Sequence, residues 1–143
     1  HDMWSPPITV YPVNLGGLSD EIPEVLRDSF NEATTCFNAR SFNASAIMCR
    51  RTLEGLCTEL GVKQRSLVSS IKQLGEDGHI EGSLVEWANA LRIAGNEAAH
   101  DVTTNVNSLD AQNLLEFTEA ILDYLFVFKK KFESFKQRRQ QPT

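Results

Sequence analysis

The chain has 143 residues, 41% of them hydrophobic, with 14 Lys and Arg against 19 Asp and Glu, a formal net charge of −5. A chain of this length forms one domain with a core large enough to fold without disulfide or metal staples. Mild acidity excludes a protein that coats nucleic acid by bulk charge and leaves room only for a local basic site.

Three cysteines, Cys36, Cys49 and Cys57, give an odd count with no close pair. Disulfide frameworks and zinc modules use tighter, repeated spacings, so these are expected as core thiols in a reducing compartment, with no metal site and no cofactor. The longest apolar run, Ala120 to Phe128, is interrupted by Asp123. It is too short for a bilayer, which needs roughly 20 residues. No secretory signal is visible, so the expectation is a cytoplasmic protein with no membrane partner.

In chain order, residues 1–18 read as a cloning remnant, His1-Asp2-Met3, followed by an extended lead-in rich in Pro and Gly. Ile8, Val10 and Tyr11 of that segment are expected to lie on the core. A helical domain then covers 19–138, and 139–143 is a disordered tail.

The first helix should open near Asp20, with Pro23 in its first turn, and run to about Arg40 on the stripe Ile22, Leu26, Phe30, Ala33, Phe37. Ser41 or Asn43 is placed to cap the second, whose stripe Phe42, Ala46, Cys49, Leu53, Leu56, Leu60 alternates steps of four and three. Gly61 suits its left-handed end. Arg50 and Glu54 can pair at i,i+4; Arg50 and Arg51 form either a solvated face or a source of positive charge for the fourth helix. Ser66 to Leu74 predicts a short third helix, followed by a Gly-rich connection in which His79 reads as solvated.

Ser83-Leu-Val-Glu86 has the form of a capping box that opens the fourth helix, with Leu84, Trp87, Ala88, Leu91 and Ala98 on its buried side. Its end is expected close to His100, and Gly95 in mid-helix calls for a close neighbouring helix or a bound phosphate. Asn107 to Asp110 resembles a second cap. A fifth helix then runs long, to about Arg138, on Leu114, Phe117, Ile121, Leu125, Phe128, Phe132 and Phe135. Its far end is basic: Lys129, Lys130, Lys131, Lys136, Arg138 and Arg139. Those cations either complement the helix dipole or track nucleic-acid phosphates. Its polar face shows no aromatic–basic interleaving of the base-stacking kind. No segment carries a strand signal. The fold class is all-α, five helices around an up-and-down bundle.

The chemistry concentrates in Leu91 to Asp101. Arg92, Asn96 and His100 are spaced four apart, so a helix stacks them along one flank. A guanidinium, a carboxamide and an imidazole in a row can grip and cleave a phosphodiester. The same row can serve instead as a hydrogen-bonded seam between helices, with His100 held by carbonyls or Asp101.

The run Arg92-Ile-Ala-Gly-Asn-Glu-Ala-Ala-His100-Asp101 resembles the signature of a domain-of-unknown-function branch of the HEPN superfamily, common in restriction and phage-defence proteins. Arg50-Arg-Thr-Leu-Glu54 resembles that branch's other recurring segment. The resemblance covers about 19–130. It implies a five-helix HEPN-like bundle, a homodimer, and RNA binding with metal-independent endoribonuclease activity, Arg92, Asn96 and His100 being catalytic. Arg50, Arg51, Lys129, Lys130 and Lys131 are then candidates for nucleic-acid contact. The arginine that the usual motif places just before Asn96 is Gly95 here, and the nearest is Arg92, one turn earlier. The alternative the resemblance carries is a catalytically silent dimerisation module that positions a fused or neighbouring effector domain.

Overall fold

The computed structural model describes residues 17–140. The expected core contribution of Ile8, Val10 and Tyr11, and residues 141–143 of the expected tail, lie outside the described residues, whereas Arg139 and Gln140, expected in the disordered tail, continue the last helix. Five helical rods make up the fold: α1 (Glu24–Asn38), α2 (Phe42–Glu59), α3 (Leu67–Glu76), α4 (Ser83–His100), and a continuous fifth built of α5 (Ser108–Asp123), a π-helical turn (Tyr124–Phe128) and α6 (Lys129–Gln140). No strand occurs among the described residues.

α1 starts at Glu24 rather than near Asp20 because Pro23 disfavours a helical residue before it. Ser19 to Ile22 instead make a turn, closed by the Ile22 amide on the Ser19 carbonyl at 3.1 Å, and Ile22 is buried by it. α1, α2 and α3 all end the same way. In each, paired amides return to carbonyls inside the last turn: Ser41 to Cys36 and Arg40 to Phe37, Val62 to Cys57 and Gly61 to Thr58, His79 to Leu74 and Gly78 to Gly75. This is the Schellman ending, which needs one residue at positive φ. Gly61 and Gly78 supply it at φ +74° and +77°, and Arg40 supplies it at +63°.

Two expected caps do not form. Ser83 is already helical, and Gly82, at φ +56°, accepts the Val85 and Glu86 amides on its carbonyl. The left-handed glycine opens α4 one residue early, so Ser83 no longer sits where its hydroxyl reaches the third amide. At the start of α2 neither Ser41 nor Asn43 caps. Asn43 instead spans to the loop after α4, its Nδ2 donating to the Thr104 carbonyl at 3.1 Å and its Oδ1 accepting from the Val106 amide at 2.9 Å. The Asn107 cap of α5 does form, on the Asp110 amide at 2.8 Å.

α2 is the central rod, packed against α1, α3, α4 and α5. The stripes read from the sequence meet around it: Leu26 and Phe30 from α1, Leu53 and Leu56 from α2, Leu91 from α4 and Ile121 from α5 are all fully buried, and α5 adds Leu115 and Leu122, which its predicted stripe did not include. Burying side chains of this size contributes about 1.5–3 kcal/mol each. The buried hydroxyls are hydrogen-bonded, some of them across helices. Ser45 Oγ donates to the Ala33 carbonyl at 2.9 Å, which ties α2 to α1, and Thr52 Oγ1 shares a 2.6 Å hydrogen bond with Ser29.

Cys49 and Cys57 lie in this core and Cys36 is half-buried, all three as free thiols. Burial pushes the Cys49 thiol up to about 12 and the Cys57 thiol up to about 11. The fifth rod outruns its partners. Leu125 and Val127 are its last buried side chains, and no residue of α6 is buried. Among the described residues no helix is long and apolar enough to cross a membrane.

Candidate functional site

The site begins at the crossing of α2 and α4. Gly95 is buried there, and a β-carbon built on it would meet Arg50 Cβ at 2.5 Å, Cδ at 2.8 Å and Cγ at 3.1 Å. A glycine in mid-helix costs about 1 kcal/mol against alanine. Here the missing side chain is the space through which the Arg50 stem passes. The close helix, of the two explanations the sequence left open, accounts for this glycine.

Arg50 lies across α4 at the level of its polar flank. Its Nη1 donates to Glu54 Oε2 at 2.6 Å, the i,i+4 pair expected from the sequence, in a half-buried setting. Its Nε is sealed from solvent and has no hydrogen-bond partner among the described residues. Beside it open Arg92 and Asn96, both half-buried. Arg92 Nε donates to Asn89 Oδ1 at 3.2 Å, a bond within its own helix that leaves the rest of the guanidinium unengaged among the described residues.

These groups line a solvent-open cleft of about 450 Å³ between α2, α4 and the connection from α2 to α3. Lys63 and Arg65 form its far wall together with Ser66. Among the described residues Glu54 is the one carboxylate in the lining, against four cations. The seam between helices is not what the flank forms: Arg92 and Asn96 bridge to no neighbouring helix among the described residues, and the cleft admits solvent.

His100 ends α4 one turn beyond Asn96 and is exposed, outside the lining of the cleft. Asp101 does not hold it. The Asp101 carboxylate accepts from the Thr103 amide at 2.9 Å and from Thr103 Oγ1 at 2.6 Å, and these hydrogen bonds keep its carboxyl below the ordinary range. The imidazole is therefore accessible, with no hydrogen-bond partner among the described residues.

The remaining sequence candidates are elsewhere. Arg51 is exposed and off the cleft. Lys129, Lys130 and Lys131 line a separate groove where α6 leaves the bundle, with Glu21, Leu60 and a half-buried His79. Lys130 approaches Glu21 at 3.9 Å across it. Lys63 and Arg65 were missed from sequence; the available signal was two cations two apart directly after the Gly61 helix stop. Among the described residues no cluster of His, Cys, Asp or Glu is placed to hold a metal ion.

No curated protein and no solved structure matches the chain significantly. A family model described as "Domain of unknown function (DUF4145)" matches residues 31–138, which include Arg50, the cleft and His100. With most of its length covered by that match, the chain belongs to the DUF4145 family.

Proposed function

We propose that the protein is an RNA-binding helical domain of the HEPN type that grips an RNA phosphate between Arg50 and Arg92, and that His100 serves cleavage of the bound strand. The observation that carries this reading is the open cleft lined by Arg50, Arg92 and Asn96, with Glu54 as the single acid among its described residues. Guanidiniums pair with phosphates through fixed, multiple donors, and they stabilise the charge that builds on a phosphodiester under attack. The departure from the usual motif at Gly95 is compensated in space, because the stem of Arg50 fills the position that an arginine at 95 would leave from.

The reaction is transesterification without metal. The 2′-oxygen attacks the adjacent phosphorus, the bond from phosphorus to the 5′-oxygen breaks, and the products end in a 2′,3′-cyclic phosphate and a 5′-hydroxyl. The 2′-hydroxyl proton leaves to a base and the 5′-oxygen takes one up. An imidazole suits such transfers near neutrality, and this reading assigns them to His100, exposed at the end of α4 one turn beyond Asn96. The test is incubation of mixed single-stranded and structured RNA in EDTA with wild type and His100→Ala. Cleavage by wild type alone supports the reading; no cleavage by either, or equal cleavage by both, removes the nuclease step.

A second reading has its own observation. Phe128, Phe132 and Phe135 are 55%, 57% and 48% exposed along one stripe of the protruding helix. Exposed rings at such spacing suit a helix-to-helix contact, as a homodimer or an effector-positioning module requires.

A further inference from the structure

We propose that Lys63 and Arg65, on the connection between α2 and α3, form a second phosphate subsite, placed to take a neighbouring phosphate of the strand held by Arg50 and Arg92. The proposal rests on the RNA-binding reading above for the identity of the ligand, and on the cleft itself for the existence of the subsite.

Charge is the first argument. Arg50, Lys63, Arg65 and Arg92 share one cleft with a single carboxylate, Glu54, which Arg50 already engages at 2.6 Å. Three positive charges are thus in excess within about 450 Å³, in a chain whose formal net charge is −5. No carboxylate among the described residues lies within ion-pair distance of Lys63, Arg65 or Arg92. Cations gathered without counter-charges repel one another, and a bound anion removes that repulsion. The volume falls within the range of small-molecule sites in general, roughly 300–1,000 Å³.

Rigidity is the second. The segment carrying both cations is fixed at each end. Gly61 and Val62 close the Schellman ending of α2, and Val62 is buried. The Gln64 amide donates to Ser70 Oγ at 2.8 Å, and that buried hydroxyl donates to the Ser66 carbonyl at 3.1 Å. Ser66 Oγ then caps α3 by accepting the Ser69 amide at 3.2 Å. The backbone of Lys63 to Ser66 is therefore held before any ligand arrives, which lowers the ordering cost of binding. The α3 dipole points its positive end at the same space and adds to a potential that the side chains already set.

The experiment measures binding of a labelled single-stranded RNA, of a mononucleotide, and of inorganic phosphate to wild type, Lys63→Ala/Arg65→Ala and Arg92→Ala. All three mutated cations are surface-accessible, and the melting temperature of each variant without ligand reports that it is folded. The double variant is expected to bind RNA about 10- to 100-fold more weakly, with its log–log salt slope reduced by about 1.4, two contacts at about 0.7 each. Unchanged RNA affinity in the double variant, with affinity lost in Arg92→Ala, overturns the subsite and leaves the RNA reading standing. If wild type ignores RNA but gains thermal stability from mononucleotide or phosphate, and the double variant does not, the subsite holds for a free phosphate and the RNA reading falls. Absence of binding to all three ligands overturns both.

Discussion

Gly95 on α4 and Arg50 on α2 occupy one space: a β-carbon on the glycine would lie 2.5 Å from Arg50 Cβ. The two segments that stand apart in the sequence, Arg50 to Glu54 and Arg92 to His100, are brought together by this contact. It fixes how close α2 and α4 run and where the Arg50 guanidinium emerges. The cleft follows from that spacing.

Gly95→Ala is therefore expected to destabilise the fold although alanine is the better helix former. Propensity favours alanine by about 1 kcal/mol, whereas forcing a methyl into a filled contact costs about 1–3 kcal/mol. Arg50 Cβ is anchored to its backbone, so relief requires the helices to part. Urea unfolding should show a lower midpoint at unchanged slope. A raised midpoint would mean that the crossing has slack.

The thiols give a pH prediction. The folded-state Cys49 thiol is raised to about 12 from an ordinary 9.0, and Cys57 to about 11, in each case by burial first. Each thus favours folding fully below pH 9, and that contribution is lost as pH rises above 9 through the folded value, because the unfolded chain ionises first. Between pH 8 and pH 10 the wild type should lose about 1 kcal/mol more stability than Cys49→Ala, measured by chemical denaturation at each pH. Parallel pH curves would mean that the Cys49 thiol ionises as easily folded as unfolded.

Phe128 is exposed, so Phe128→Glu should leave the monomer folded while weakening self-association through the protruding stripe. Sedimentation velocity across a concentration series reads this directly. A wild type that stays monomeric at high concentration, indistinguishable from the variant, excludes the dimerisation reading of the stripe.

Gly61 stops α2 at φ +74° with open space around its α-carbon. A side chain there meets no neighbour, so Gly61→Ala should cost only the left-handed conformation, about 1–2 kcal/mol. The same substitution loosens the anchor of Lys63 and Arg65, and RNA affinity should fall with it. A stability loss without any loss of affinity would show that the anchor does not govern the cations.

Much of the fold was legible because helical periods are written in single residues. Leu53, Leu56 and Leu91 were placed on buried faces by spacing alone, and the structure buries them. Starts were harder to read than stops. Ser83 and Glu86 have the letters of a capping box, yet Gly82 takes the turn, because a left-handed glycine displaces the register by one residue. Asn43 has the letter of a cap but bonds across 61 and 63 residues of sequence, a partner no local pattern names. Among the residues that line the cleft, Arg92 and Asn96 stood out in the sequence through helix geometry, and Arg50 through its resemblance to a recurring segment. Lys63 and Arg65 were not, since a cleft wall contributed by a loop leaves no period. The phenylalanines of the last helix continued the stripe faithfully, but spacing does not say where the partners end, and Phe128, Phe132 and Phe135 lie beyond them.

The most direct measurement of the central claim is the affinity of a labelled single-stranded RNA for wild type, Arg50→Ala and Arg92→Ala, by fluorescence anisotropy over a salt series. Each substitution is predicted to lower affinity about tenfold and to reduce the magnitude of the salt slope by about 0.7, the loss of one phosphate contact to a single strand. Tight binding that is indifferent to both substitutions would place the RNA elsewhere on the molecule and contradict the account.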